Sequence, residues 1–318
     1  MLQRDAFISQ ITLSLKDNRD IFFLSADFGA AALDELREKF PANFIHCGIS
    51  EQAMIDVASG LALKGKRVFV YAMAPFLSLR ALEQVKCGPG IMNLPIVFIS
   101  VGIGLGYADS GPTHYATEDL ACMRAIGGSS VYTASDTLSA KSLSKYLISH
   151  PQFAYVRLDR HELPALSDHD GVAAGYRVLG VTKAPNRRVA LLSHGRLSHV
   201  CNDVANRFPD RFVCIDIIRA KPFPKELVDY LKDNAYAVLT VDEQTPAGSL
   251  GGVVLEALSS NETYIPLRQH CLPEEYVFQN GGRSFLLKHY GLDDQGVLGK
   301  ASSLESLAVS EGNTLHRL

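Results

Sequence analysis

Three segments of the sequence carry residues that could do chemistry, and each directly follows an apolar run. Glu51 stands just after one run, at the start of a stretch with helical periodicity. Residues 100–114 form a glycine-rich segment that ends in His114, and Arg157 and Arg160 close a third run. A carboxylate, an imidazole and two guanidinium groups can together move protons and bind an anion such as phosphate.

Each of these residues also has a purely structural interpretation. A glutamate in the first turn of a helix usually complements the helix dipole, and spacing alone favours that role for Glu51. Arginines at a strand end are usually solvated or ion-paired. The spacing of residues 102–106 is GxGxG with no helical period behind it, which fits a dinucleotide-binding loop poorly. A glycine-rich loop of this length is still more often functional than idle.

Other catalytic and metal-binding motifs do not occur in the sequence. It contains no HxH, HExxH or CxxC spacing, no GxSxG nucleophile motif and no Walker lysine. These absences disfavour a zinc site, an α/β-hydrolase and a P-loop enzyme, and no metal ligand is expected on this chain.

Short apolar runs alternate with helix-period stretches, which predicts the scaffold that must position these residues. In the first half, the runs predicted as strands are residues 21–24, 43–46, 67–71, 95–100, 130–132 and 153–156. Runs that are apolar on both faces are typical of a parallel sheet covered by helices on both sides. Because ligands collect at the carboxyl ends of such strands, the three segments are expected to meet there.

The periodicity predicts an α/β fold class with two open-sheet α/β domains. Residues 1–165 form the first, with a mostly parallel six-stranded sheet. Residues 166–187 are rich in proline, glycine, aspartate and asparagine, and we interpret them as a linker. Alternation restarts in residues 188–318, which predict a smaller second domain.

Composition excludes several classes of protein. The 318 residues are 47% hydrophobic and 20% charged, so the chain can form about two cores and is not disordered. A net charge of −3 without a basic block disfavours a nucleic-acid partner. No apolar run approaches a membrane span, and the start of the chain is unlike a signal peptide. The six thinly spread cysteines predict reduced, buried thiols in a cytoplasmic protein.

In this order, the segments resemble the transketolase family of thiamine-diphosphate enzymes. The resemblance rests on residues 48–52, which read GISEQ, and on residues 111–120, which read GPTHYATEDL. Residues 241–243 and the pair Gly251 and Gly252 resemble the carboxy-terminal domain of that family. The resemblance implies a thiamine-diphosphate pyrimidine-binding domain followed by a transketolase C-terminal-like domain.

The resemblance also implies a cofactor, thiamine diphosphate, and residues that bind it. Glu51 would be the catalytic carboxyl, shielded from water and partly protonated, that bonds the pyrimidine ring nitrogen. Phe76 would stack on the ring, with Met73 beside it at a position where relatives often carry another aromatic residue. Asp27 would lie near the cofactor at a subunit interface.

By the same resemblance, four residues would contact the substrate. His114 would be catalytic, touching a substrate oxygen and helping to transfer a proton. Arg157 would bind a phosphate group. Ser110 replaces an aspartate of common transketolases that contacts the C2 hydroxyl, and Ser100 stands where they often carry a phosphate-binding histidine. These two departures predict a modified or branched sugar as substrate.

Enzymes of this family also need a diphosphate-binding domain with a Gly-Asp-Gly motif, and no Gly-Asp dipeptide occurs here. We therefore expect the carboxy-terminal (beta) subunit of a split transketolase, which transfers a two-carbon ketol unit from a ketose or ketose phosphate to an aldose. A separate amino-terminal subunit with the GDG-type domain would hold most of the Mg²⁺ contacts. The expected assembly is α2β2 with two sites at subunit interfaces.

Two alternatives remain open from the sequence. The chain could be the beta subunit of a related thiamine-diphosphate enzyme, either deoxyxylulose-phosphate synthase-like or 2-oxo acid dehydrogenase-like. It could also be a catalytically silent paralogue, although the presence of Glu51, Phe76 and His114 argues against that.

Overall fold

The computed structural model of the protein describes residues 1–26, 29–180 and 186–315, with side chains up to residue 308. The strands are β1 (Ile21–Ala26), β2 (Phe44–Gly48), β3 (Arg67–Met73), β4 (Ile96–Val101), β5 (Ser130–Thr133), β6 (Ala154–Leu158), β7 (Tyr176–Leu179), β8 (Arg188–Ser193), β9 (Phe212–Ile217), β10 (Arg219–Lys221), β11 (Ala235–Val241) and β12 (Leu267–His270). The helices are α1 (Gln3–Ser14), α2 (Asp34–Lys39), α3 (Glu51–Leu63), α4 (Leu82–Val85), α5 (Asp119–Ala125), α6 (Thr137–Ser149), α7 (Arg196–Arg207), α8 (Lys225–Asn234), α9 (Leu250–Ser260), α10 (Gly282–His289) and α11 (Asp294–Leu315). Two π-helical segments, Phe76–Arg80 and Lys86–Gly90, flank α4.

The first sheet has the strand order β10-β5-β6-β4-β3-β1-β2. Strands β1 to β6 pair in parallel, as the apolar runs predict, so their carboxyl ends share one edge of the sheet. The second sheet has the order β12-β11-β8-β9-β7 and is parallel except for the β7–β9 pair. The predicted fold class, two mostly parallel α/β domains, is confirmed.

Two edge strands differ from the sequence prediction. Strand β7 lies inside residues 166–187, so the interpretation of that whole segment as a linker is wrong. Strand β10 belongs to the second half of the chain but pairs antiparallel with β5 of the first sheet. Both strands are short and carry arginine or lysine, so neither presents the apolar run on which a strand prediction depends.

Helices cover both faces of the first sheet. Helix α3 and the π-helical segments lie on one face, while α1 and α6 pack against each other on the other face. The apolar core beneath α3 continues without a break into the second domain, since Val131 of β5 belongs to the same cluster as Ile215 of β9. The two sheets are therefore joined by a shared core as well as by β10.

A buried charge network also joins the domains. Arg283 of α10 donates from Nη1 to Asp159 Oδ2 over 2.6 Å and from Nε to Glu243 Oε1 over 3.0 Å. Asp159 follows β6 of the first domain, and Glu243 follows β11 of the second. Asp159 is fully buried, and Glu243 and Arg283 are nearly so. Because a buried charge is costly unless it is paired, these three residues hold one another in place.

The cysteines follow the sequence expectation in part. All six are free thiols; Cys201 and Cys214 are buried, but Cys87 is exposed, so the expectation of buried thiols is wrong there. Within the described ranges, no helix combines the length and the apolar character that crossing a membrane requires. The cytoplasmic location stays a prediction.

We expect Asp159→Asn to lower the free energy of unfolding at pH 7 by about 3–5 kcal/mol, because Arg283 then loses a buried partner. Burial, the largest single influence, raises the pKa of the Asp159 carboxyl. The charges of Arg283 and Arg196 and the hydrogen bonds from His161 together outweigh burial and hold that pKa well below its ordinary value of 3.8. A lowered pKa stabilises the fold above pH 3.8, and this stabilisation is lost as the pH falls below that value.

Urea unfolding at several pH values measures this effect. The difference between the wild type and Asp159→Asn should shrink below about pH 4. The matched control is Asp20→Asn, which removes an exposed ion pair with Lys66 and should change stability by about 0.5 kcal/mol or less. A difference that stays constant with pH would contradict an ionised Asp159.

Candidate functional site

The turn between β2 and α3 buries a carboxylate at the start of a helix. Gly48 ends β2 with φ of 70°, a left-handed conformation that glycine adopts without strain, and the chain then turns into α3. Glu51 is the first residue of α3 and is 4% exposed. The helix N-terminus favours the negative charge of this carboxylate. Glu51 is therefore placed to complement the helix dipole, and it is buried as well.

A pocket of about 150 Å³ opens beside Glu51 at the carboxyl ends of β1 and β3. Its walls are mainly apolar, with one aromatic ring and one carboxylate. The lining residues are Ala26, Ile49, Glu51, Ala72, Met73, Phe76 and Arg80. Such a pocket suits a flat ring with a hydrogen-bonding edge.

The sequence prediction missed Arg80. Its Nη1 donates to Glu51 Oε2 over 2.9 Å, and its guanidinium lies 3.9 Å from the centroid of the Phe76 ring. The π-helical segment Phe76–Arg80 brings both residues to one face, because a π-helical turn contains more than four residues. The i, i+4 spacing of an aromatic and an arginine was the available signal.

His114 lies in the neighbouring loop and contacts Phe76, one of the residues that line the pocket. Strand β4 lies beside β3, so the loop that follows β4 adjoins the segment that carries Phe76. The rings of Phe76 and His114 meet edge to face with centroids 5.5 Å apart. His114 Nδ1 lies 2.9 Å from Thr113 Oγ1, and Ser110 is exposed in the same loop. The structure therefore brings Glu51, Phe76 and His114 together, while the chemical roles of these residues stay predictions.

Two residues predicted to bind substrate lie elsewhere. Ser100 is fully buried in β4 and donates from Oγ to the carbonyl of Val156 over 2.7 Å. Arg157 is 1% exposed, and its Nε and Nη2 donate to the two Asp119 carboxylate oxygens over 2.8 and 3.0 Å. Contact of either side chain with a substrate is contradicted, because both side chains point into the core, where their polar atoms are already bonded.

Arg160 is the exposed member of the arginine pair. It lies two residues beyond the end of β6, and its guanidinium stacks 4.5 Å from the centroid of the Tyr107 ring. Tyr107 belongs to the His114 loop, and its carbonyl accepts from the backbone N–H of Ser110 over 2.8 Å. Arg160 is thus exposed beside the loop that carries Ser110.

Two further residues were predicted to contact the cofactor, Met73 and Asp27. Met73 is half-buried and lines the pocket, as expected for a residue beside the ring. Asp27 lies outside the described residues. Within the described part of the chain, no three histidine, cysteine, aspartate or glutamate side chains are grouped so as to bind a metal ion.

Comparison with known families identifies the class of protein. The family model described as transketolase, pyrimidine binding domain, matches residues 2–165, and the one described as transketolase, C-terminal domain, matches residues 180–297. The first match covers about half of the chain, and it contains every residue of the pocket. The chain belongs to the transketolase family, and the resemblance seen in the sequence is confirmed.

Comparison with individual relatives adds particular enzymes to which the chain is similar. The chain is similar to one subunit of the apulose-4-phosphate transketolase of Phocaeicola vulgatus, at 28% identity over 92% of this chain and 94% of that one. It is 30% identical to the 1-deoxy-D-xylulose-5-phosphate synthase of Bordetella pertussis over 89% of this chain, but spans 45% of that enzyme. A solved split-gene transketolase, described as an inactive beta4 tetramer, superimposes with a TM-score of 0.83 at 26% identity over 96% and 99% of the two chains.

Thiamine diphosphate is the cofactor of this family, and the pocket fits its aminopyrimidine ring. Phe76 offers a half-buried ring face, and Met73 and Ile49 offer apolar walls. The Glu51 carboxyl lies on the pocket wall, where it would bond a ring nitrogen, next to the Arg80 guanidinium from which it accepts a hydrogen bond.

We expect Phe76→Ala to weaken thiamine-diphosphate binding about tenfold, because the ring loses a stacking partner and apolar contact. The measurement is the cofactor concentration that half-saturates activity in the enzyme assembled with its partner subunit. The control, Tyr264→Ala, removes an aromatic side chain that is 92% exposed in the second domain and should leave this concentration unchanged. If the half-saturating cofactor concentration is the same in the wild type and in Phe76→Ala, Phe76 does not contribute to binding of the ring.

Proposed function

We propose that this chain is the beta subunit of a split transketolase. With an amino-terminal subunit, it transfers a two-carbon ketol unit from a ketose phosphate to an aldose acceptor. The observation that carries the proposal is that Glu51 and Phe76 line one pocket while the His114 ring packs against Phe76. Its similarity to the Phocaeicola vulgatus transketolase subunit over nearly the full length of both chains supports the same assignment.

The side chains around the pocket have distinct tasks in this proposal. Thiamine diphosphate, when bound, supplies a carbon nucleophile and accepts an electron pair. Glu51 would bond the pyrimidine ring nitrogen from a position that water barely reaches, and would exchange a proton with that nitrogen. Phe76 and Met73 orient the ring, and Asp27 contacts the cofactor near the partner subunit.

His114 and Ser110 act on the substrate side in this proposal. His114 is half-buried, and one edge of its ring is held against Phe76. The imidazole can take a proton from a sugar hydroxyl and return it. The exposed Ser110 hydroxyl offers a neutral hydrogen bond where common transketolases carry a charge. We therefore favour a sugar unlike the common pentose phosphates, with apulose 4-phosphate as the first candidate because two relatives carry that name.

Arg160 is the proposed phosphate-binding residue. Its guanidinium is exposed, lies beside the loop that carries Ser110 and has a planar fork that matches two phosphate oxygens. Arg157, by contrast, is neutralised by Asp119 in the core. Recognition of a phosphorylated substrate is therefore assigned to the residue beyond the strand end.

An apolar surface around the pocket supports a partner subunit. Large apolar side chains are exposed on adjoining elements there: Ile49, Val57, Leu79, Ile91 and Met92. Ile49 is 76% exposed and also lines the Glu51 pocket, so a protein that covers this surface would also close the pocket. We propose that this surface docks the amino-terminal subunit, which supplies the Mg²⁺ and diphosphate contacts, in an α2β2 assembly within the cytoplasm.

The test is reconstitution with the partner subunit, thiamine diphosphate and Mg²⁺. We expect ketol transfer from apulose 4-phosphate to an aldose phosphate by the mixture and none by this chain alone. Glu51→Gln should lower kcat by about 10²–10³-fold, since it cannot deliver the proton. The control, Glu83→Gln, changes an exposed carboxyl on α4 and should retain full activity.

Other results would contradict the proposal. CO2 release from pyruvate would favour a synthase or a 2-oxo acid dehydrogenase instead, a possibility that the similarity to deoxyxylulose-phosphate synthase keeps open. Full activity of Glu51→Gln would remove Glu51 from its role. Turnover by this chain alone, or tight stoichiometric cofactor binding without a partner in calorimetry, would exclude the split arrangement.

We expect Arg160→Leu to raise KM about tenfold or more for a phosphorylated substrate, because a charge-assisted hydrogen bond is lost. The KM of the same sugar without phosphate should not change. Steady-state kinetics of the assembled enzyme with both sugars measure the difference. Arg207→Leu, which removes an arginine about half exposed on α7, is the control. An equal rise in KM for both sugars would show that Arg160 does not read the phosphate.

A further inference from the structure

The GxGxG spacing of residues 102–106 has a structural explanation that involves the second domain. A Cβ at Gly104 would lie 2.1 Å from Glu243 Oε2, and Gly104 has φ of 56°. A Cβ at Gly102 would lie 1.9 Å from the Tyr107 ring. The glycines therefore let the loop fold back on itself and approach a carboxylate of the other domain.

Glu243 holds the first end of this loop. Its Oε2 accepts from the backbone N–H of Leu105 over 3.0 Å. The same carboxylate is oriented by Arg283, whose Nη2 donates to Oε2 over 2.6 Å and also reaches the carbonyl of Ile103 at 3.5 Å. Because Glu243 and Arg283 are almost fully buried, water competes little for these bonds.

Gln244 and Thr245, the two residues after Glu243, hold the other end of the loop. Gln244 Nε2 donates to the carbonyl of Ala116 over 2.9 Å, and its Oε1 accepts from Leu120 N–H over 3.3 Å. The backbone N–H of Thr245 donates to the carbonyl of Thr117 over 3.0 Å. Three consecutive residues of the second domain thus bond to both ends of one loop of the first.

The two loop ends are also joined to each other. Gly104 and Ala116 exchange two backbone hydrogen bonds, of 3.1 and 3.0 Å, in an isolated antiparallel bridge. Between these ends lie Ser110, which is exposed, and His114, which is half-buried against Phe76. The position of the His114 imidazole therefore depends on where the two ends are held.

We propose that residues 243–245 are a positioning element that fixes the loop 102–118, and so places Ser110 and His114 for the reaction. These residues do not touch the pocket beside Glu51. The second domain thus acts on the chemistry through the backbone of the loop. The kinetic test of this proposal rests on the proposed function, because it needs an active enzyme. The order of the loop can be measured whether or not the protein is a transketolase subunit.

Two variants and one control test the proposal in the full chain. Gln244→Met keeps the length of the side chain but removes both of its hydrogen bonds to the loop. Glu243→Ala removes the bond to Leu105. The control, Glu256→Ala, removes another ion pair between the two domains, in which Arg124 Nη2 lies 2.5 Å from Glu256 Oε2 without contact to the loop.

Hydrogen exchange measures the order of the loop. We expect backbone amides of residues 102–118 to exchange about tenfold faster in Gln244→Met, with strands of both sheets unchanged. In Glu243→Ala the fold also loses stability, because Arg283 loses a buried partner, but the loop should again gain more exchange than the strands do. In the enzyme assembled with its partner, kcat should fall about tenfold, since a small displacement of a catalytic group lowers the rate steeply. The cofactor concentration for half-saturation should stay within about twofold, because Glu51 and Phe76 are untouched. Glu256→Ala should match the wild type in both measurements.

The other possible results of these experiments also test the role of residues 243–245. If the loop exchanges at the wild-type rate in Gln244→Met, or faster exchange leaves kcat unchanged, the proposal is overturned. Uniformly faster exchange across both sheets would show general destabilisation and would overturn it as well. If Glu243→Ala does not fold, Gln244→Met carries the decision alone. If the wild type shows no ketol transfer, the proposed function fails, and the exchange data still decide whether residues 243–245 order the loop.

Discussion

The guanidinium of Arg283 lies between two carboxylates that belong to different domains, and the rest of the molecule is arranged around this contact. Asp159 comes from the end of β6 and Glu243 from the end of β11, so the carboxyl ends of the two sheets are tied at one point. Burial makes the three residues depend on one another, because loss of Arg283 would leave two buried carboxylates without this partner, and loss of either carboxylate removes one of its two partners. The same carboxylate of Glu243 also bonds the loop that leads to His114.

Buried arginines recur along this contact between the domains. Within the first domain, Arg157 of β6 pairs with Asp119 of α5. Arg177 of β7 pairs with both Asp136 and Asp216. Asp136 belongs to the first domain and Asp216 to the second. Planar guanidinium groups can bond two carboxylates at once, which fixes direction as well as distance. A contact built this way resists rotation of one domain against the other.

The pocket itself is assembled from neighbouring strands rather than from neighbouring residues. Glu51 follows β2, Phe76 follows β3 and His114 follows β4, and the parallel order of the sheet brings their loops together at one edge. The pocket is bordered by the exposed apolar side chain of Ile49, and the second domain holds the adjoining loop that carries His114. The site thus combines the loop that carries His114, which the second domain holds, with an exposed apolar surface around Ile49. Such an arrangement suits a site that another protein completes.

Apolar periodicity was enough to predict β1 to β6 and the meeting of the Glu51 and His114 segments at one edge of the sheet, because buried parallel strands have strong local patterns. Phe76 was predicted from the family resemblance. Periodicity did not reveal β7 and β10, whose short, charged sequences become strands through pairing with neighbours. The sequence by itself determined the family, the fold class and the carboxylate, the aromatic ring and the imidazole of the site. Tertiary structure alone decided that Arg157 is a core ion pair, that Arg160 is exposed, that Arg80 bonds Glu51 and that Glu243 holds the His114 loop. These four facts depend on burial and on contacts between distant segments, which no local pattern of residues records.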